Sequence, residues 1–459
     1  MLVAELVGRL LATGGTRHAF GLVGSGNFHL TNALVAGGVR FVPAAHEGGA
    51  ASMADAYARI SGEVGLLTVH QGPGVTNTLT GLTEAAKSRT PLLLLAPEAT
   101  APRSNFFIDL PAAAVAVGAR FHRVRAEHAA SDTVQAWRAA ATGTVVLGLP
   151  LDVQAATVES SPGGVSLPVF ASGPVTEPDA AAVAALADLI ASARRPVFIA
   201  GRGATRPAAP ARAALAGLAE ICGALLAVSA AARGLFAGDP WYIDVSGGFA
   251  TPLAAELIAG SDLVVAWGST LNMWTTRHGR IISPDAVAAQ VDHDPSALGA
   301  NRPIALGVCG DVSVVAAAVA AELARRGHRD TGWRNAEVGT RIASGRRWRD
   351  VSYADDGDAD HIDPRTLSIA LDDLLPAQRT VAVDSGNFLG YPSMFLEVPD
   401  HAGFCFTQAY QSVGLGLASA SGAALARPDR LTVAALGDGG FLMSVAELTT
   451  AVRLGLGLL

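Results

Sequence analysis

A glycine-rich loop near the end of the chain carries a single carboxylate. Gly437, Asp438, Gly439 and Gly440 directly follow the apolar run LTVAAL. Such a run is typical of a buried strand in a parallel sheet, and ligands bind at the carboxyl ends of these strands. Glycines let a phosphate approach the backbone, and Mg²⁺ is commonly held by one or two carboxylates together with phosphate oxygens. The loop therefore predicts a site for a diphosphate and Mg²⁺. A tight turn with an exposed aspartate is the alternative.

A second group of polar residues follows two apolar runs in the first hundred residues. Glu47 comes after the first run and opens a stretch of small residues typical of a helix, and His70 and Gln71 follow the run VGLLTV. The rigid turn Gly72-Pro73-Gly74 comes next, with Asn77 at the start of another helix. Taken alone, Glu47 is explained as a favourable partner of a helix dipole. Taken together, the two strand ends indicate a binding or catalytic site.

Two other glycine pairs also follow predicted strands. They are Gly24-Ser-Gly26 and Gly201-Arg-Gly203. Neither completes the GxGxxG pattern of dinucleotide-binding proteins, so a nicotinamide cofactor is disfavoured. Most isolated pairs of this kind are turns between a strand and a helix.

The composition limits the class of protein. The 459 residues are enough for two or three domains of about 150 residues each. A net charge of −7 with no long basic run disfavours a nucleic-acid partner. Cys222, Cys309 and Cys405 show no pairing or metal-ligand spacing, which is typical of a reduced protein. No apolar run reaches the roughly 18 residues that cross a bilayer, and the first fifteen residues predict an amphipathic helix rather than a signal peptide. We therefore expect a cytoplasmic protein with no membrane partner.

Short apolar runs alternate with helical patterns, which predicts an α/β fold with parallel sheets. A first domain, residues 1–160, contains the strand candidates VRFVPA, VGLLTV, PLLLLAP and GTVVLGLP. A linker rich in Pro, Gly and Ser, residues 161–179, leads to a central domain, residues 180–345. After a charged helix and an acidic loop, a third domain spans residues 360–459. Within it, Ser444 and Glu447 have the spacing of a capping box, which predicts a helix starting near Val445.

Four segments occur in the same order as in the thiamine-diphosphate-dependent enzymes of the acetolactate synthase, benzaldehyde lyase and pyruvate decarboxylase type. They read HEGGAASMADAYAR, GPGVTNTLTGL, SVGLGLASASGAALARPD and GDGGFLMSVAELTTAV. The ordered set is specific although no single segment is, and the chain resembles this family over essentially its whole length. The resemblance implies three doubly wound parallel-sheet domains. The first binds the pyrimidine, the second is the central domain, and the third binds the diphosphate. The first and third are similar in the family, and here the third is incomplete.

The resemblance also implies roles for individual residues. Glu47 matches the glutamate that hydrogen-bonds the pyrimidine N1′ from a water-poor pocket, so that the cofactor supplies both base and nucleophile. Val413 matches the apolar residue that bends the cofactor, and Asp438 matches the metal ligand. The other positions that match cofactor-binding loops are Gly24, Gly72, Pro73, Gly74, Asn77, Gly386, Asn387, Ser412, Gly437, Gly439 and Gly440.

Some positions depart from the acetolactate synthase pattern. Phe107-Ile108-Asp109 replaces a Phe-Gln-Glu segment, a nearby lysine is absent, and His70 and Gln71 stand where the synthases have smaller residues. His70 either moves protons near pH 7 or only hydrogen-bonds the cofactor, and both readings stay open. The resemblance implies decarboxylation of a 2-oxo acid, carboligation, or both, as in acetolactate synthase. The alternatives are a thiamine-dependent lyase with another product and a non-catalytic cofactor-binding scaffold.

Partners and further cofactors follow from the same resemblance. In the family the pyrimidine site and the metal site come from neighbouring subunits, so we expect a homodimer or a dimer of dimers (a homotetramer). Some synthases bind FAD between the first and central domains, where Arg277 or Arg280 could face it, and we expect that FAD is not required. The final run LGLGLL reads as the start of a strand that in the family ends at an asparagine, the second magnesium ligand. We therefore expect the sequence to be a fragment.

Overall fold

The computed structural model describes residues 1–158, 177–206, 208–329 and 332–459. These residues form three parallel sheets with helices packed around them, which confirms the predicted α/β fold, and the third sheet has only three strands. One compact unit lies within Met1–Gly173, Thr380–Leu389 and Cys405–Leu459, and a second within Pro174–Arg379 and Gly390–Phe404. Most of the predicted linker, up to residue 176, lies outside the described residues. The predicted domain boundaries stay predictions.

Six parallel strands form the first sheet. They are β1 (His18–Gly21), β2 (Arg40–Pro43), β3 (Gly65–Thr68), β4 (Leu92–Glu98), β5 (Arg120–Arg123) and β6 (Thr144–Pro150). Their order across the sheet is β2-β1-β3-β4-β6-β5. Strands β3, β4 and β6 are buried at every residue, as expected for strands covered by helices on both faces. The four predicted strands correspond to β2, β3, β4 and β6.

Seven helices accompany the first sheet. They are α1 (Val3–Thr13), α2 (Phe28–Ala36), α3 (Glu47–Ser61), α4 (Pro73–Lys87), α5 (Leu110–Ala116), α6 (Ala129–Ala140) and α7 (Leu151–Ala155). The predicted amphipathic first helix is confirmed by α1, whose apolar side chains at Val3, Val7, Leu10 and Leu11 are buried. Helix α3 is buried along almost its whole length, because its small side chains let other elements pack closely around it.

The second unit contains the central sheet. Its strands are β7 (Pro196–Ala200), β8 (Leu225–Val228), β9 (Tyr242–Val245), β10 (Leu263–Trp267), β11 (Val287–Asp292) and β12 (Leu306–Cys309). They are parallel in the order β12-β11-β10-β7-β8-β9, which differs from the first sheet. The helices are α8 (Ala180–Ser192), α9 (Ala208–Cys222), α10 (Pro252–Ala259), α11 (Val312–Arg325), α12 (Ala336–Gly345), α13 (Pro364–Leu374) and α14 (Gly390–Phe395).

The third sheet belongs chiefly to the first unit. Its strands are β13 (Arg379–Val383), β14 (Phe404–Phe406) and β15 (Leu431–Ala435), and its helices are α15 (Gly416–Ala426), α16 (Asp438–Met443) and α17 (Glu447–Leu454). The order β14-β13-β15 repeats the order β2-β1-β3 of the first sheet. The final residues lie beside β15, because Leu458 forms a parallel bridge with Thr432 and the Leu459 N–H donates to the Thr432 carbonyl at 3.0 Å.

Helices α3 and α15 pack against each other and join the first and third sheets into one unit. Every residue of α15 from Gly416 to Leu425 is buried. A Cβ atom on Gly422 would overlap the carbonyl oxygen of Met53 in α3. Only glycine therefore permits this crossing. No described helix combines the length and the apolar character that crossing a bilayer requires.

Candidate active site

Glu47 is the first residue of α3 and lies next to the start of α4. His46 caps the helix, because its Nδ1 accepts the Gly48 N–H at 3.0 Å. The Asn77 side-chain amide donates to Glu47 Oε2 at 3.0 Å. A Cβ on Gly74 would lie 3.5 Å from Glu47 Oε1. The structure thus brings three predicted site residues together, with the Glu47 carboxylate partly exposed rather than enclosed within this chain.

His70 and Gln71 follow β3 and pack against the loop after β1. The Gly26 N–H donates to His70 Nδ1 at 3.4 Å. A Cβ on Gly24 would lie 2.8 Å from the His70 ring, and a Cβ on Gly26 would overlap Gln71 Oε1. The glycine pair is therefore needed for close approach of this loop to the end of β3. The His70 ring also packs edge-on against Phe106, with 5.3 Å between ring centroids.

Gln71 carries a buried acceptor that the described residues leave unpaired. The side chain is only 4% exposed, and its Oε1 has no hydrogen-bond partner among the described residues. An unsatisfied buried acceptor costs about 1–3 kcal/mol, and such groups are commonly satisfied by a ligand or an ordered water. This oxygen fits a donor on a bound molecule.

The predicted Gly72-Pro73-Gly74 turn has the strained geometry that requires glycine. Gly72 has φ 65° and ψ −107°, and Pro73 is the first residue of α4. A Cβ on Gly72 would lie 2.9 Å from the Phe106 carbonyl oxygen. The turn therefore holds the segment that begins at Phe106 against the end of β3.

Asp384 organises the end of the third sheet and was missed in the sequence. It follows β13 directly, and its carboxylate is fully buried. The oxygens accept N–H groups from Ser385 at 2.8 Å, Gly414 at 2.9 Å and Leu415 at 3.2 Å. Burial raises the pKa of Asp384, and these N–H donors oppose that rise. A Cβ on Gly440 would overlap Asp384 Oδ2. The Asp384 carboxylate therefore holds two glycine-containing segments, those of Gly414 and Gly440, close together.

The predicted diphosphate-binding residues lie around Asp384. Gly386 has φ 140° and Gly414 has φ 92°, conformations that favour glycine. The Phe388 ring lies against both Gly386 and Gly437, because a Cβ on either would be 3.2 Å from it. Val413 is exposed and lies 3.3 Å from a Cβ placed on Gly440. The neighbouring predicted residues are Asn387, which opens a short 3₁₀ turn, and Ser412, whose hydroxyl donates to the Val413 carbonyl at 3.4 Å.

Asp438 presents the free carboxylate of this cluster. It is the first residue of α16, is exposed, and makes no hydrogen bond or ion pair with the described residues. A Cβ on the next residue, Gly439, would meet open space. The described residues contain no cluster of three or more metal-binding side chains. A lone carboxylate beside glycine-rich loops still fits Mg²⁺ shared with phosphate oxygens.

Glu447 does not form the predicted capping box. Helix α17 begins at Glu447 with Ala446 as its N-cap, and the Ser444 hydroxyl donates to the Gly440 carbonyl at 3.2 Å. The Glu447 carboxylate accepts instead the N–H groups of Ala45 at 3.1 Å and His46 at 3.0 Å. The prediction was wrong because this side chain reaches a distant segment rather than its own helix.

The glycine pair of the central sheet has a structural reason. A Cβ on Gly201 would overlap the Gly268 carbonyl oxygen, and one on Gly203 would lie 2.7 Å from the Gly268 Cα. The two glycines therefore allow two neighbouring loops to approach each other. Arg277 donates to the Ala250 carbonyl at 3.2 Å. The expectation that FAD is not required stays a prediction.

Parallel sheets whose strands end in glycine-rich loops are typical of α/β proteins that bind a cofactor. Three family models match the chain: the N-terminal thiamine pyrophosphate (TPP) binding domain of thiamine pyrophosphate enzymes over residues 1–132, their central domain over residues 183–319, and their C-terminal TPP binding domain over residues 384–459. The chain belongs to the thiamine pyrophosphate enzyme family, which confirms the resemblance seen in the sequence.

Relatives in this family are named for several activities. The chain is 29% identical to a sulfoacetaldehyde acetyltransferase of Rhodobacter capsulatus, with 99% of this chain and 80% of the relative covered. It is 26% identical to the large subunit of acetolactate synthase isozyme 2 of Escherichia coli, covering 98% and 80%. It is 30% identical to a probable 2-ketoarginine decarboxylase of Pseudomonas aeruginosa, covering 96% and 78%.

Proposed function

We propose that this chain is a thiamine-diphosphate- and Mg²⁺-dependent enzyme that decarboxylates a 2-oxo acid, joins the remaining fragment to a second molecule, or does both. One observation carries the proposal. One chain carries the Glu47–Asn77 pair at the first sheet and the free Asp438 carboxylate at the third sheet, so two copies of the chain supply both halves of a site. Glu447, close to Asp438 in the chain, hydrogen-bonds the backbone just before Glu47.

Each cluster has a separate task in this proposal. Thiamine diphosphate, when bound, supplies an electron sink for the carbanion left by loss of CO₂. Glu47 holds a hydrogen bond and a proton at the pyrimidine end, and Asn77 fixes the orientation of its carboxylate. Gln71 Oε1 accepts a donor, which would satisfy its buried oxygen. Asp438 holds Mg²⁺ at the diphosphate end.

The segment that departs from the acetolactate synthase pattern begins beside the candidate site. Phe106 contacts His70 through its ring and Gly72 through its backbone, and Phe107-Ile108-Asp109 follows directly. Side chains at this edge are therefore well placed to select the second substrate. This observation favours a second candidate, a thiamine-dependent lyase or transferase whose product is not acetolactate. Relatives named for acetyl transfer and for decarboxylation also support a product other than acetolactate.

We also propose that the chain forms a homodimer or a dimer of dimers in the cytoplasm. Helices α16 and α17 and the turn between them expose large apolar side chains, which commonly mark contact surfaces. They are Leu442, Met443, Val445, Leu448 and Val452. Cys222, Cys309 and Cys405 form no disulfide among the described residues, which supports a reducing compartment.

The test is release of CO₂ from a panel of 2-oxo acids by the purified chain. Thiamine diphosphate and Mg²⁺ are omitted in turn, and we expect release to require both. Calorimetric titration of the cofactor runs in parallel. A non-catalytic scaffold would bind the cofactor and release no CO₂ with any acid in the panel. Acetolactate among the products with pyruvate alone would favour the synthase reading over the second candidate.

A further inference from the structure

Glu84 and Glu447 are buried glutamates of the first unit that lie outside the predicted site. Glu84 on α4 is 1% exposed, and Glu447 on α17 is 2% exposed. A buried carboxylate is unfavourable unless it is paired or hydrogen-bonded. The partners of each side chain therefore show what it holds in place.

Glu447 belongs to the third-sheet segment, and its partners belong to the first. Its oxygens accept the N–H groups of Ala45 and His46, the two residues that directly precede Glu47. A Cβ on Gly49 would overlap Glu447 Oε1, so this glycine makes room for the carboxylate. The backbone from which Glu47 projects is thus fixed by a residue of another domain.

Glu84 makes the opposite connection. Its oxygens accept the N–H groups of Ala409 at 3.0 Å and Tyr410 at 2.6 Å. These two residues lead into the loop that contains Val413 and Gly414, and Gly414 in turn donates to Asp384. The loop at the end of the third sheet is thus fixed by a residue of the first domain.

The two carboxylates are compensated in different ways. Arg59 pairs with Glu84 at 2.9 Å and with Asp55 at 2.8 Å, and it donates to the Phe406 carbonyl at 2.9 Å. This places a buried cation between the two domains. The hydrogen bonds that the described residues give Glu447 come from backbone N–H groups. Replacing either carboxylate by an amide therefore removes acceptors that the neighbouring backbone needs.

We infer that Glu84 and Glu447 are reciprocal positioning residues, each holding the loop that carries the other domain's half of the cofactor site. The identity of the cofactor rests on the proposed function, whereas the two loop contacts do not. Neither loop is ordered by its own domain alone. The two loops of one chain consequently become ordered together.

Hydrogen–deuterium exchange of the cofactor-free chain tests the inference directly. The variants are Glu84→Gln and Glu447→Gln, with the exposed Glu127→Gln as the matched control. Glutamine places an N–H₂ group where one backbone donor needs an acceptor, so at least one hydrogen bond is lost. We expect Glu447→Gln to speed exchange at residues 45–46 about tenfold and leave residues 409–410 unchanged. Glu84→Gln should show the reverse pattern. Equal loosening of both loops by both variants, or of neither, would overturn the inference.

Measurements of ligand binding distinguish a positioning role of the two glutamates from a general contribution to stability. Mg²⁺ with inorganic pyrophosphate is the probe for the third-sheet half. We expect Glu84→Gln to weaken its binding about fivefold and Glu447→Gln to leave it unchanged. At saturating thiamine diphosphate, Glu447→Gln should slow deuterium exchange at the cofactor C2, and Glu84→Gln should not. A merely structural role would lower the melting temperature and alter both readouts alike. If the unsubstituted chain binds no pyrophosphate, the proposed function fails, and the backbone exchange pattern still decides the inference.

Discussion

At the end of the first sheet, the polar groups of the candidate site belong to side chains. Glu47, His70 and Gln71 each have few partners, and one oxygen of Gln71 has none among the described residues. At the end of the third sheet, backbone N–H groups and glycines surround the buried Asp384, and Asp438 supplies the single free carboxylate. One half is thus built from adjustable side chains and the other from fixed backbone.

The difference matches what each half is proposed to do. A group that holds and releases a proton needs freedom to change its hydrogen bonds, whereas a diphosphate is held best by donors that do not have to reorganise. We therefore expect substitutions at the first sheet to change chemistry without unfolding the protein. Substitutions at third-sheet glycines that pack against Asp384, such as Gly440, should change stability as well.

The largest expected effect comes from Glu47→Gln. Loss of its proton should reduce CO₂ release about 1,000-fold, in the range typical of removed acid–base groups. The melting temperature should stay within error of the unsubstituted chain, because Glu47 is partly exposed and its side-chain partner is Asn77. Turnover of each 2-oxo acid and thermal unfolding are measured together with Glu127→Gln as control. More than a tenth of the original turnover in the variant would remove Glu47 from the mechanism.

Asp438→Ala should weaken Mg²⁺-dependent binding of thiamine diphosphate by at least about tenfold, as expected when a group that supports a metal is lost. The exposed carboxylate makes no hydrogen bond or ion pair with the described residues, so stability should not fall. Calorimetric titration at fixed Mg²⁺ measures the affinity. Asp429→Ala is the control, because Asp429 is exposed and pairs with Arg427. Equal affinity of the Asp438 variant and the unsubstituted chain would contradict the metal assignment.

Gly439 and Gly440 are adjacent, but only Gly440 is packed against another residue, and Gly439 faces open space. A Cβ on Gly440 would overlap Asp384, so Gly440→Ala should lower the free energy of unfolding by about 2 kcal/mol. A Cβ on Gly439 would meet nothing, so Gly439→Ala should change it by no more than about 0.5 kcal/mol. Urea unfolding of both variants provides the measurement. Equal destabilisation would argue against a rigid backbone site around Asp384.

Among the substitutions expected to change stability, the smaller effect is at Gln71. Gln71→Met keeps the volume and removes the unpaired buried oxygen, so the free energy of unfolding should rise by about 1 kcal/mol. Affinity for thiamine diphosphate should fall, because the same oxygen is proposed to accept a donor from the ligand. Urea unfolding and calorimetric titration test the two effects. A variant that gains stability and binds the cofactor normally would assign Gln71 no part in binding.

The sequence predicted those parts of the fold whose pattern is local. Long runs of Leu and Val gave β4 and β6, which are buried at every residue. Strand β5 was missed because it is an edge strand with charged ends, where alternation of apolar residues is weak.

The restriction to local patterns also explains which residues of the candidate site could be predicted. Glu47 and Asn77 could be placed together because the carboxyl ends of the parallel strands β2 and β3 lie at one edge of the same sheet. Asp384 and Glu447 could not be assigned, because their partners Gly414 and Ala45 are distant in the chain. For Glu447, the local spacing from Ser444 matched a capping box and pointed to the wrong partner.

The crossing of α3 and α15 has a consequence for the proposed homodimer. At Gly422 the two helices touch backbone to backbone, with no room for even a methyl group. A side chain there would push the first and third sheets of one chain apart. In the proposed homodimer, where each site takes one half from each subunit, this shift would displace both sites at once, so the absence of a side chain at a single position sets the spacing of the two sites.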